Sequence, residues 1–450
     1  MSERGRFGSK IGVVLASAGS AVGLGNIWRF PTEVGRNGGA AFILVYVCFV
    51  LFLALPVMVS EFVIGRASKA NTVDAYRVLA PGKPWVTAGY MGVFAGFLVL
   101  SFYSVVAGWT LHYAVQSGMN HLTGGQDFAA LFSAFVSHPF WPLVYVVLFL
   151  LLTHWVVARG VQEGIERYSK WMMPLLFIII FVLVGCSLSM QGAREGLMFL
   201  LKPDFSKVTG RVVLSAIGQA FFSLSVGIGC MVTYASYFGR QMRLVPSALH
   251  VCVIDTLVAV LSGFIIFPAV FSVPGLSVDA GPGLVFITLP NVFNAAFGGS
   301  WLGYLFSLLF YLLLLLAALT SSISMHEICT AFIHEKYGLS RQRAAAVVTL
   351  ICLLGGVACS LSFGAWREVK VFGMGFFDLF DYLTAKFIMP LGGIAITLFV
   401  GWVMERKMVA AELTNAGTCH RHAARVLLFL IRWVAPLGVA VIFLNGFLGK

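Results

Sequence analysis

Residues 16–31 read ASAGSAVGLGNIWRFP and interrupt an apolar run that begins at Ile11 and is long enough to enter a bilayer. Glycines, Asn26, Arg29 and Pro31 break the helix that this run would otherwise form. Backbone groups released from a helix are costly in hydrocarbon, so a broken membrane helix persists only beside a cavity or a ligand. An arginine at membrane depth also indicates a functional site. The stretch therefore predicts a broken membrane helix that lines a binding site.

Two other interpretations of this stretch are weaker. The glycines could form a close helix-packing face followed by a loop. The letters GSAVGLG also partly match a dinucleotide-binding loop, but no strand pattern precedes them.

A second segment, residues 212–238, carries the same kind of interruption. Gly227-Ile228-Gly229 lies in its middle, as Gly23-Leu24-Gly25 lies in the first segment. Paired glycine-interrupted hydrophobic segments in corresponding halves of a chain are the best sequence indication of a secondary transporter's binding site.

The composition agrees with a membrane protein. Hydrophobic residues make up 59% of the chain and charged residues only 11%, against roughly 25% charged residues in soluble domains. In a soluble protein the net charge of +12 would suggest nucleic acid, but here it is attributed to basic cytoplasmic loops, and no nucleic-acid partner is expected. A channel would need a continuous polar pore, whereas the polar residues gather at the two breaks. No nucleophile–base pair, metal-ligand helix motif or phosphate loop occurs, so the sequence does not indicate an enzyme.

Hydropathy predicts about eleven spans, and each needs ~20 residues to cross a bilayer. Their approximate ranges are 11–36, 41–66, 88–118, 141–158, 164–187, 211–238, 244–270, 300–333, 343–363, 376–402 and 424–447. Loops 119–140 and 271–299 contain no Lys or Arg, whereas most of the alternate loops are basic. The positive-inside rule then predicts a cytoplasmic N-terminus and an external C-terminus, with the basic loop 188–210 as the main exception.

Five motifs together resemble the neurotransmitter:sodium symporter family. They are GSAVGLGNIWRFP at 19–31, GIER at 164–167, QAFFSLS at 219–225, TYASY at 233–237 and LTSS at 319–322. The resemblance implies an all-α polytopic membrane protein with a five-plus-five inverted-repeat transporter core, whose helices 1 and 6 are unwound. The first repeat would be 1–187, an extracellular connector 188–210, the second repeat 211–402, and a connector with an extra C-terminal helix 403–450.

The function implied is a sodium-coupled symporter of hydrophobic or aromatic L-amino acids, working by alternating access in a bacterial inner membrane without chloride. The alternative is a proton-coupled amino acid carrier of the same architecture, although no Lys or Arg lies beside Thr320 and Ser321 in the sequence. The partners expected are a small-molecule amino acid and the lipid bilayer, while the oligomeric state is left open.

The substrate site implied by the resemblance has backbone N–H groups and a phenol for a carboxylate, carbonyls and a hydroxyl for an amine, and apolar walls. Its residues are Ala21, Leu24, Gly25, Val99, Tyr103, Phe222, Ser223, Ser225, Ile228, Ser324 and Met325. Family members that carry biogenic amines have an aspartate where this chain has Gly23, so a substrate here is expected to bring its own carboxylate. A lone tyrosine in a membrane helix is usually an interfacial belt residue, but Tyr103 lies too deep in its span for that role. Taken singly, the residues of the apolar walls would be ordinary packing.

Two sodium sites follow from the same resemblance, and no organic cofactor is expected. The first comprises Ala21, Asn26, Ser223 and Asp255, and the second comprises Gly19, Val22, Ala317, Thr320 and Ser321. Hard oxygen ligands of low total charge suit Na⁺. Thr320 and Ser321 could instead only bond back to their own helix. Asp255 could supply the charge that chloride provides elsewhere in the family, or it could be protonated and act like an asparagine.

Two gates complete the expectations drawn from the family. Arg29 and Asp381 correspond to an outer gate. The inner gate corresponds to Arg4, Ser236, Tyr237 and Glu335.

Overall fold

A computed structural model describes residues 5–122, 126–273, 283–297, 300–417 and 421–448, except for the side chains of residues 421, 442 and 445–448. These residues form helices and no β-strand beyond one isolated bridge between Val371 and Met374. The helices that organise the molecule are α1 (Lys10–Ala21), α2 (Gly25–Arg36), α3 (Ala40–Ser68), α4 (Thr72–Leu79), α5 (Val86–Gly118), α6 (Phe128–Ser137), α7 (Trp141–Ala158), α8 (Val161–Leu188), α9 (Ala193–Leu201), α10 (Gly210–Ser223), α11 (Cys230–Ser236), α12 (Leu244–Phe271), α13 (Leu284–Phe297), α14 (Trp301–Tyr337), α15 (Arg341–Leu361), α16 (Phe376–Val403), α17 (Arg406–Thr414) and α18 (421–448).

Many of these helices match bilayer dimensions. Within the described ranges, nine are long and apolar enough to cross a membrane, and the bent pair α1–α2 makes a tenth if it is counted as one span. The pair α10–α11 is outside that count, so the number of about eleven spans stays a prediction. Large apolar side chains such as Ile178 and Leu354 are exposed on the outside of the bundle, as lipid-facing residues would be.

The first break falls inside the glycine-rich stretch. The α1 helix begins at the N-cap Ser9, whose side chain accepts a hydrogen bond from the Gly12 N–H, and it ends at Ala21. Val22 is extended, and α2 leaves the break at an angle of 55° to α1, with a π-helical first turn. The break therefore leaves backbone N–H and C=O groups near Val22 outside the helical hydrogen-bond pattern, in the interior of the bundle.

The second break separates α10 from α11. Between Ser223 and Cys230 the chain is not helical, and Ser225, Gly227 and Gly229 have positive φ angles of 50°, 94° and 81°. A Cβ atom on Gly227 would lie 2.3 Å from the Met389 carbonyl oxygen. Glycine is therefore required there both by the backbone conformation and by the close approach of α16.

The two breaks meet at the centre of the bundle. The α14 helix packs extensively against α5, and α1 contacts α8, α12 and α14. Buried polar side chains are concentrated around this centre, among them Asn26, Ser223, Asp255, Thr320 and Ser321.

Candidate functional site

A small cavity of about 40 Å³ lies between the two breaks, bounded by α5, α14 and α16. It is lined by Ala21, Gly23, Leu24, Gly25, Asn26, Val99, Phe102, Tyr103, Phe222, Ser223, Ser225, Ile228, Ser321, Met325, Thr384 and Met389. Ten of the eleven residues expected to bind substrate are in this set. The eleventh, Ser324, is outside the lining, and its hydroxyl donates to the Ser321 carbonyl over 2.8 Å.

Part of the cavity lining is polar. The Leu24 N–H donates to the Tyr103 hydroxyl over 3.3 Å. Gly23 lies next to this pair, where a Cβ would be 2.5 Å from the Ser321 Oγ and 3.1 Å from the Tyr103 Oη. An acidic side chain at position 23 therefore has no room unless Ser321 and Tyr103 move.

Three of the four residues expected at the first sodium site, Asn26, Ser223 and Asp255, form one hydrogen-bonded cluster, and the fourth, Ala21, lines the cavity. Asn26 Nδ2 donates to Ser223 Oγ over 3.0 Å and to Asp255 Oδ1 over 2.7 Å. Ser223 Oγ donates to Asp255 Oδ2 over 2.7 Å, and the Tyr46 hydroxyl contributes a longer contact of 3.4 Å to the same oxygen. The Asn26 Oδ1 accepts the Gly23 N–H over 2.9 Å. The donor set is oxygen-rich and carries one carboxylate, which fits a monovalent cation.

The residues expected at the second sodium site also come together. Ser321 Oγ lies 2.8 Å from the Val22 carbonyl oxygen and 3.5 Å from that of Gly19. Thr320 Oγ1 lies 3.4 Å from the Val22 carbonyl oxygen and 3.0 Å from that of Ala317. Three carbonyls and two hydroxyls thus converge from α1 and α14. An all-neutral set of oxygen atoms fits Na⁺ and does not fit a divalent ion, which needs carboxylates.

The two residues expected at the outer gate form no ion pair with each other. The Arg29 guanidinium carbon lies 4.0 Å from the centroid of the Phe222 ring, which closes one side of the cavity. Among the ion pairs that the described residues form, there is none between Arg29 and Asp381. Arg29 therefore stacks on Phe222 beside the cavity, and Asp381 lies on α16.

Arg4, one of the four residues expected at the inner gate, lies outside the described residues. Glu335 Oε2 accepts hydrogen bonds from the backbone N–H and side-chain Nδ2 of Asn71, over 3.2 and 2.9 Å. Ser236 Oγ donates to the Thr233 carbonyl. The contacts of Glu335 join the end of α14 to the start of α4, whereas the Ser236 contact lies within α11.

Tyr237 reaches a carboxylate that the sequence analysis did not select. Its hydroxyl donates to Glu327 Oε1 over 2.7 Å, and Arg341 pairs with both oxygens of the same carboxylate. Arg341 Nε also donates to the Val157 carbonyl over 3.0 Å. Glu327 is completely buried. Together, the contacts of Glu327 and Arg341 link α7, α14 and α15 to the end of α11.

A second missed carboxylate supports the break between α10 and α11. Glu61 is buried on α3, its Oε1 accepts the Gly227 N–H over 2.7 Å, and its Oε2 accepts the Met231 N–H over 3.1 Å. It thereby binds backbone donors that the helix cannot satisfy. The sequence alone could have identified Glu61, because an acidic residue inside an apolar membrane span indicates a functional or structural role.

Comparisons with known proteins agree with this architecture. The sequence profile of the sodium:neurotransmitter symporter family matches residues 4–127 and 135–448. An uncharacterized sodium-dependent transporter of Bacillus subtilis, YhdH, is 41% identical over 98% of this chain and 97% of its own length. A sodium-dependent transporter of Haemophilus influenzae is 34% identical over 99% of this chain and 98% of its own. The crystal structure of MhsT in complex with L-phenylalanine superposes with a TM-score of 0.89 at 42% identity, covering 98% of this chain and 100% of that one.

These similarities define a sodium-dependent membrane transporter and not an enzyme. The chain belongs to the sodium:neurotransmitter symporter family. The family and the fold class expected from the five motifs are confirmed by these matches. The individual roles of the site residues, the two-repeat division and the orientation of the termini stay predictions.

Proposed function

We propose that the protein is a sodium-coupled symporter that takes up hydrophobic or aromatic L-amino acids by alternating access. The observation that carries this proposal is the pairing of the Leu24 N–H with the Tyr103 hydroxyl at the neutral Gly23. A backbone donor at a helix break and a phenol together suit a substrate carboxylate. The likeness to MhsT, whose structure contains L-phenylalanine, supports the same substrate class.

The cavity also has apolar walls, which suit an apolar side chain. Val99, Phe222, Ile228 and Met325 line it, and each is apolar. The cavity of about 40 Å³ is smaller than such a side chain, so entry of Leu, Met, Tyr or Trp requires movement of its walls. Met325 has three rotatable side-chain bonds and can repack around ligands of different shape.

We assign one Na⁺ to each of the two oxygen clusters described above. At the first, Asp255 would carry the negative charge that compensates Na⁺ in a buried site. Transport would then need no chloride.

We place the protein in a bacterial inner membrane, with its N-terminus in the cytoplasm and its C-terminus outside.

Uptake of labelled L-phenylalanine into proteoliposomes at fixed pH tests the proposal against its alternative. A sodium gradient should drive accumulation, and an equal choline gradient should not. A proton-coupled carrier would instead accumulate phenylalanine in choline when the lumen is alkaline, and that result would contradict the proposal.

A further inference from the structure

One face of α8 passes from charged to apolar within a single turn. Arg167, Lys170 and Trp171 are spaced i, i+3 and i+4, so they share this face. Trp171 is 73% exposed, and Ile178, two turns further on, is 61% exposed. Tryptophan is enriched at the boundary between hydrocarbon and headgroups. The pattern therefore indicates that this face meets a membrane boundary near Trp171.

A cavity of about 360 Å³ opens at this boundary. It lies between the segment Gly8–Ser9 and five α8 residues, which are Gln162, Glu166, Arg167, Lys170 and Trp171. Arg167 is exposed, and no hydrogen bond or ion pair joins its side chain to the rest of the described chain. Two cations and an exposed amide thus line one concave surface and are suitable donors for a phosphate monoanion or diester. The Glu166 carboxylate lines the same surface, so a phosphate there must compete with it for Lys170.

Lys170 is shared between this cavity and a buried carboxylate. Its Nζ lies 2.6 Å from Glu166 Oε1, with Lys170 41% exposed and Glu166 only 2% exposed. Glu166 also accepts the Gly8 N–H over 2.6 Å and the Ser9 hydroxyl over 2.8 Å. The carboxylate therefore fastens the segment before α1 to α8, and Lys170 is its only cation within the described chain.

We propose that the phosphate of an acidic phospholipid binds between Arg167 and Lys170 and competes with Glu166 for the Lys170 ammonium. A half-exposed Lys–carboxylate pair is weak, and attraction of a lysine to an anionic membrane surface is of comparable strength. Withdrawal of Lys170 leaves the buried Glu166 without its cation, which weakens the hold on Gly8 and Ser9. Acidic lipid thus loosens the segment that precedes the first broken helix.

A lipid fits this cavity better than free phosphate, because exposed apolar side chains adjoin the cavity. The exposed side chains of Trp171 and Ile178 extend the same face into the apolar part of the span. An acyl chain can lie along them while the headgroup contacts the two cations. Inorganic phosphate has no group that would use this apolar extension.

Lipid retention is the first test, and it requires neither sodium nor substrate. Native mass spectrometry would count phosphatidylglycerol molecules retained by the purified protein, with phosphatidylcholine as reference. Arg167→Gln and Lys170→Gln should each lower phosphatidylglycerol retention about fivefold. Arg159→Gln is the matched control, because Arg159 carries the same charge but stacks on Trp155 outside the cavity.

Hydrogen exchange of the peptide that contains Gly8 and Ser9 is the second test. In nanodiscs the wild-type peptide should exchange several-fold faster with phosphatidylglycerol than with phosphatidylcholine, and Lys170→Gln should abolish that difference. Inorganic phosphate added to phosphatidylcholine nanodiscs should not reproduce it. Equal loss of retention in Arg159→Gln, or an inorganic phosphate effect equal to that of the lipid, would overturn the proposal.

Discussion

The Nδ2 of Asn26 donates a 2.7 Å hydrogen bond to Oδ1 of Asp255, which joins the first helix break to α12. The second carboxylate oxygen accepts from Ser223 at the end of α10. One buried acidic side chain therefore binds both broken helices. A buried carboxylate is stable only with compensating charge or hydrogen bonds, so a cation at this position would offset its cost.

Asp255→Asn tests the charge-compensation role. Wild-type uptake should be equal in chloride and in gluconate, because Asp255 supplies the negative charge. The variant keeps the shape of the side chain but loses the charge, so it should either lose most uptake or become responsive to chloride. A wild-type protein that stalls in gluconate would contradict this account.

Thr320→Ala tests the second sodium site. Removing one hydroxyl ligand should raise the half-saturating Na⁺ concentration roughly five- to tenfold, and Ser223→Ala should do the same at the first site. Ser322→Ala is a suitable control, because the Ser322 hydroxyl bonds to Leu319 and Thr153 away from the cluster. If Thr320→Ala kept the wild-type Na⁺ dependence in transport assays, Thr320 would not be a ligand.

The positions of the two helix breaks were predictable from the sequence, because a glycine pair that interrupts an apolar membrane segment is costly away from a cavity or a ligand. Gly227 illustrates this, since its positive φ and the nearby Met389 carbonyl both exclude a side chain. The second oxygen cluster was also predicted as a set. Its members come from two segments that a local pattern cannot bring together, so the family resemblance was needed.

Glu61 and Glu327 show what the sequence reasoning missed. Both partners of Glu61, the N–H groups of Gly227 and Met231, belong to the backbone of a distant segment. Glu327 on α14 pairs with Arg341, the first residue of α15. Only the packed structure shows which donors each carboxylate meets, although charge inside an apolar span already marks such residues.

The substrate class can be tested by competition binding. L-Phenylalanine, L-tyrosine and L-leucine should displace one another, whereas tyramine and dopamine, which lack a carboxylate, should not compete. Gly23→Ala should abolish binding because its Cβ would crowd Ser321, while Gly218→Ala has free space and should bind normally. Equal competition by tyramine would contradict the assignment of the carboxylate site.

The buried pair of Glu327 and Arg341 is expected to stabilise the packing of α14 against α15. Glu327→Gln leaves Arg341 without its charge partner and should lower the free energy of unfolding by roughly 3–5 kcal/mol. Tyr237→Phe removes one neutral donor to the same carboxylate and should cost about 1 kcal/mol. Thermal unfolding in detergent would rank the two variants, and a Glu327→Gln protein as stable as wild type would refute the structural role.

Thermodynamic coupling between sodium and the amino acid tests the central claim most directly. Calorimetry of the purified protein would measure the affinity for L-phenylalanine with and without Na⁺, and the affinity for Na⁺ with and without L-phenylalanine. The account predicts that each ligand raises the affinity for the other by the same factor, as linkage requires. An L-phenylalanine affinity that is unchanged when choline replaces Na⁺ would contradict it.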